Sequence, residues 1–119
     1  MTPQKQRLVI AKACGWKVLE PEVKPAIIYL WGLRKGFIHE ENREIIPDYP
    51  NDRNAMHNAI ITKFVTIEMQ QKFAMQLKNL IKKAQPFTSR SWSDWDLITA
   101  SLPQLSEAFL CTLGMWEMD

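Results

Sequence analysis

Between Pro47 and His57 the chain reads Pro47-Asp48-Tyr49-Pro50-Asn51-Asp52-Arg53-Asn54-Ala55-Met56-His57, crowding carboxylates, carboxamides and an imidazole into one short run. Asp48, Asp52 and His57 are ligand types that divalent ions accept, and an imidazole beside a carboxylate is also the start of acid–base chemistry. Their spacing argues against both. Asp52 and His57 are five positions apart, roughly 140° round a helix from one another, so no single helix face holds them. Within this run HxxxH, HxH and DxD arrangements are absent. The structural reading has Asp48 and Asn51 as helix caps and Asp52 complementing the helix dipole, with Asn54 and His57 bonded to neighbouring loop backbone. On this reading no metal or other cofactor is expected.

A thiol nucleophile would need Cys14 or Cys111 beside His39 or His57. Cys14 falls at a helix C-terminus, where the dipole raises a thiol pKa, and Cys111 falls among Phe109, Leu110 and Leu113. Both read as small, buried core residues of a reducing compartment. Nucleophile elbow, P-loop, dinucleotide fingerprint and zinc-ligand spacings are missing as well, so no enzyme is expected.

Two surfaces offer binding chemistry instead. Lys82, Lys83 and Arg90 precede Trp92 and Trp95, and indoles beside cations can stack a base while the cations hold phosphate. Asp94 and Asp96 oppose that use, and Trp92 and Trp95, three apart, face opposite sides of an extended strand. The second surface is Ile27 to Phe37, whose Tyr29, Trp31, Arg34 and Phe37 are residue types favoured at protein interfaces. As the central pair of a sheet between helix layers, the same residues would be core on both faces. Core is the reading adopted, with interface as its competitor.

These residues need elements to position them. Four helices are expected. The first spans Pro3 to Cys14, with Thr2 as N-cap and Gly15 as its stop. The second runs from near Asn51 to Thr62, with Met56, Ile60 and Phe64 on one face. The third follows a cap at Thr66, with Met69, Phe73, Leu77, Leu80, Ile81 and Ala84 as its apolar stripe and Pro86 closing it. The fourth spans Leu102 to Leu113, with Ser101 and Gln104 as a capping box and Gly114 as its stop. The two terminal helices each end at a Gly with a Trp just beyond, shared capping physics rather than a repeat. Ala26 to Trp31 is expected to pair with Gly36 to His39 across a Gly32–Lys35 turn, with Ile45-Ile46 and Ser91 to Ile98 as further strands.

At 119 residues, 46% hydrophobic and 24% charged, the chain is expected to fold as one globular domain with its own core. No leader or membrane span is expected, since the most apolar run, Pro25 to Leu33, is too short to cross a bilayer. Net charge is only +2, yet it is laid down in blocks. Residues 1–35 and 63–90 are basic, and residues 36–62 and 91–119 are acidic. Blocks of this kind serve an oriented partner or pair with one another inside the monomer.

Three stretches, in order, carry a resemblance: Ala11-Lys12-Ala13-Cys14-Gly15-Trp16; Pro47-Asp48-Tyr49 with Asn51-Asp52 and Asn54-Ala55-Met56-His57; and Ala108-Phe109-Leu110 with Leu113-Gly114-Met115-Trp116-Glu117. In them the chain resembles the phage ABA-sandwich domain family, small proteins of tailed bacteriophages. It departs at Pro50 and Arg53, where that family usually has leucines. The resemblance implies an α-β-α layered fold and a phage origin, and it implies no reaction.

The expectation is therefore an α+β domain of about four helices on a small, mainly antiparallel sheet. By analogy with small phage proteins, it would act in the host cytoplasm by binding a host or phage protein, plausibly inhibiting a host defence system. The alternative is a nucleotide or nucleic-acid binder, sequestration of a nucleotide signal being one form of it. No membrane partner is expected, and the oligomeric state, a homodimer included, stays open.

Overall fold

Helix α1 covers Pro3–Ala13, and Thr2 caps it by accepting the Lys5 N–H at 3.2 Å. The computed structural model describes residues 1–84 and 100–118. Within these, α2 covers Arg53–Lys63, α3 Ile67–Ala84 and α4 Leu102–Thr112. Thr66 caps α3 through Met69 N–H, and Ser101 and Gln104 form the reciprocal box at the start of α4. Both terminal helices close with the same paired hydrogen bonds. Trp16 N–H reaches back to Ala11 C=O and Gly15 N–H to Lys12 C=O; Met115 N–H reaches Leu110 C=O and Gly114 N–H reaches Cys111 C=O. The chain can turn this way because Gly15 and Gly114 take φ of +93° and +70°, where a side chain would be strained.

The cap of α2 differs from expectation. Asp52 itself is the N-cap, with extended backbone and a carboxylate that accepts the Ala55 N–H at 3.2 Å. Asp48 and Asn51 belong to the preceding turn instead, where Asn51 N–H bonds Asp48 C=O and Asn51 Nδ2 bonds the Asp48 carboxylate. Because the helix starts at Arg53, only residue 52 can reach the N–H groups of its first turn.

Among the described residues five short strands form two antiparallel sheets: β1 Lys17–Val18, β2 Glu22–Lys24, β3 Ile27–Tyr29, β4 Trp31–Leu33 and β5 Glu44–Ile45. β4 lies between β1 and β5, with Gly32 opposite Val18 on one side and Glu44 on the other. β2 and β3 make a separate two-stranded sheet in which Val23 faces Ile28. This corrects the expected hairpin. The chain reverses at Pro25-Ala26, so Ile27–Tyr29 pairs backwards in sequence, and Gly36 to His39 forms no strand. Gly32 is not a turn residue but the middle of the central strand. The turn falls at Arg34–Phe37, with Gly36 at φ +96°. The expected strand at Ser91 to Ile98 and the stop at Pro86 lie outside the described residues.

The core forms where α2, α3 and α4 pack together and α1 and the segments at Leu30 and Ile46 join them, around Ile10, Leu30, Ile46, Met56, Leu77 and Phe109. Phe64 bridges Phe73 and Phe109 with centroids 5.3 and 5.2 Å away. Polar ties join distant segments: buried Ser106 donates to Gln6 Oε1 at 2.7 Å, Arg7 donates to Ile46 C=O, and Arg53 donates to Ala100 C=O at 3.2 Å. The charge blocks pair in part within the chain, Lys5 with Glu117 and Arg34 with Glu44. Among the described residues, the α3 lysines have no such partner. The result is one α+β domain with four described helices and small antiparallel sheets.

Candidate functional site

The Asp48–His57 run does not gather into a site. Asp52 is committed to capping α2, and Asp48 to its own turn. His57 is exposed on α2 at the rim of an apolar groove with Ile61, Phe64 and Phe73. Neither Asn54 nor His57 bonds loop backbone among the described residues, contrary to expectation; both are exposed on α2. Among the described residues no three His, Cys, Asp or Glu side chains come together. Lys82 and Lys83 are exposed in the last turn of α3, while Arg90, Trp92 and Trp95 lie outside the described residues.

The Tyr29–Phe37 surface divides. Leu30 and Leu33 are buried, but Ile27, Ile28 and Phe37 are about half exposed and Ile38 is 80% exposed. Ile27–Tyr29 is therefore not a sheet centre with two core faces: among the described residues the β2–β3 hairpin pairs only with itself, whereas Trp31–Leu33 is the central strand of the other sheet. Tyr29 and Trp31, two apart on an extended chain, stack with centroids 6.2 Å apart. Lys24 sits 5.5 Å over the Tyr29 ring and Arg43 sits 4.4 Å over Trp31, whose indole N–H donates to Glu22 at 2.9 Å. That hydrogen bond is the main reason the Glu22 carboxyl lies below its ordinary pKa. Arg34, by contrast, turns to the other side of the sheet, where its guanidinium lies 5.2 Å over Trp16 and its Nε pairs with Glu44 at 2.8 Å.

On that side a cleft of about 720 Å³ opens between the end of α1, the turn after β4, the Pro47–Tyr49 loop and the outward stripe of α2. Cys14, Trp16, Arg34, Lys35, Tyr49 and Lys63 line it, and none of its described lining residues is acidic. Burial raises the Tyr49 and Cys14 pKa values; the nearby thiol adds to the first shift, and Lys63 works against the second. A raised thiol pKa is the opposite of what a nucleophile at neutral pH requires. Both cysteines are free and half-buried rather than fully buried, because Cys14 opens on the cleft and Cys111 flanks the core.

Of the lining residues only Arg34 stands out in the sequence as a binding candidate. Trp16 reads there as part of a helix stop, and Lys35, Tyr49 and Lys63 carry no local signal because they come from three separate segments. No family model, curated protein or solved structure matches the chain.

Proposed function

We propose that this chain is a non-catalytic binding protein whose β2–β3 hairpin docks on another protein. One observation carries the reading: a two-stranded sheet that stands apart from the core displays Val23, Ile27 and Ile28, of which Val23 is 74% exposed. A lone hairpin is marginal in water, and residues of this type are usually buried when a partner is present. The stacked Tyr29–Trp31 pair beside it adds the rigid aromatic area that interfaces favour. Arg43, with no ion pair among the described residues, favours a partner whose apolar patch is rimmed by carboxylates. The resemblance to phage ABA-sandwich proteins supports a phage accessory role in the host cytoplasm, plausibly against a host defence system.

The test uses a host protein first captured from lysate, then purified and remixed with the chain. Val23→Asp combined with Ile28→Asp is expected to weaken this reconstituted binding at least about tenfold. The melting temperature should stay within a few degrees, since both side chains already face water. Equal binding by wild type and double variant would overturn the reading. So would a dimer of the chain that the double variant dissociates, because the hairpin would then serve a second copy.

A further inference from the structure

We propose that the cleft between the end of α1, the turn after β4 and the outward face of α2 binds a small organic phosphate with a planar ring, of the nucleoside monophosphate class. The site is independent of the hairpin and of the Lys82–Trp95 segment. Arg34, Lys35 and Lys63 bring three positive charges to its wall, and no carboxylate is among its described lining residues. Glu44 engages Arg34 through Nε, leaving the terminal amino groups of the guanidinium fork for a ligand. Lys35 and Lys63 have no ion-pair partner among the described residues.

Two helix C-termini reach the cleft and work against an anion, each by about half a charge at most. The end of α1 contributes less than that, because Cys14, Gly15 and Trp16 N–H groups already cover its last carbonyls. Three cations less one glutamate therefore still leave the wall positive. The rest of the wall is suited to a ring, since Ala55, Ala59 and Pro47 supply apolar area beside the aromatic side chains of Trp16 and Tyr49. Asn58 and Thr62, on the same α2 stripe, place a carboxamide and a hydroxyl where base or sugar polar groups would need partners. The volume is in the range of small-molecule sites.

Calorimetric titration of the intact chain with AMP, adenosine, ribose 5-phosphate and inorganic phosphate tests this. AMP is expected to bind saturably at one site per chain, and each of the other three at least about tenfold more weakly. Lys35→Ala and Lys63→Ala, both exposed and so harmless to folding, should each weaken AMP about tenfold. Lys82→Ala with Lys83→Ala should leave AMP binding unchanged. The proposal is overturned if no probe binds saturably, if ribose 5-phosphate or phosphate matches AMP, or if binding is lost in the Lys82/Lys83 variant instead.

Discussion

Gly32 and Ile46 approach so closely that a β-carbon on Gly32 would fall 2.9 Å from Ile46 Cγ1, and equally close to Trp16 Cε3 on the neighbouring side. Both neighbours are held, Ile46 fully buried with its backbone N–H on Leu30 C=O, and Trp16 packed against the core with Arg34 over its ring. Gly32→Ala must therefore push the β4 strand away from the core. A loss of about 1–3 kcal/mol is expected. Urea denaturation checks it, and a change under about 0.5 kcal/mol, the scale of an ordinary surface substitution, would show that the strand yields freely.

Asp52 and Asp48 are four residues apart and do unequal work. Asp52→Ala removes the only side-chain acceptor at the start of α2 and should cost about 1 kcal/mol. Asn51→Ala loses only an exposed contact within the turn and should fall within about 0.5 kcal/mol of wild type. Equal losses in chemical denaturation would return the cap to the turn.

Phe109 is fully buried beneath Phe64, which joins it to α3 through Phe73. Phe109→Ala opens a cavity at the junction of α2, α3 and α4 and should cost about 3–5 kcal/mol. Phe109→Leu keeps most of the volume and should cost less than half as much. The comparison is made from urea midpoints at constant m value.

Stability should fall in alkali. Cys14, Tyr49 and Cys111 all have pKa values raised in the fold, burial being the first cause for each. The folded chain therefore holds protons that the unfolded chain has begun to lose, and the slope of stability with pH is negative there. Their contribution is complete below about pH 8.5, the ordinary thiol value, and drains away as pH rises through the folded values. Urea midpoints from pH 7 to pH 10 should decline, and Cys14→Ala should flatten the early part. A level profile in wild type would contradict the burial of these groups.

Much of the helical framework was legible in the chain because capping is local. Thr2, Gly15, Thr66, the Ser101–Gln104 box and Gly114 each act on backbone within a few residues, so a short window contains the whole interaction. The stripe of α3 was legible for the same reason, since Phe73 and Leu77 are one turn apart and both buried. The strands were not. Ile27–Tyr29 has the same β-forming character whichever neighbour it pairs with, and the choice of Glu22–Lys24 over Gly36–His39 depends on the turn at Pro25-Ala26.

The amino-acid sequence by itself thus determined the α+β class, the four described helices, and how α1 and α4 begin and end, because propensity, period and capping are short-range. Tertiary structure alone decided that Gly32 is a packing position, that the β2–β3 hairpin stands at the edge with its apolar side chains in water, and that Trp16, Arg34, Lys35, Tyr49 and Lys63 share one cleft. Those residues come from segments tens of positions apart. Only burial of the common core, and the close approach that glycine allows at β4, brings them within reach of one ligand.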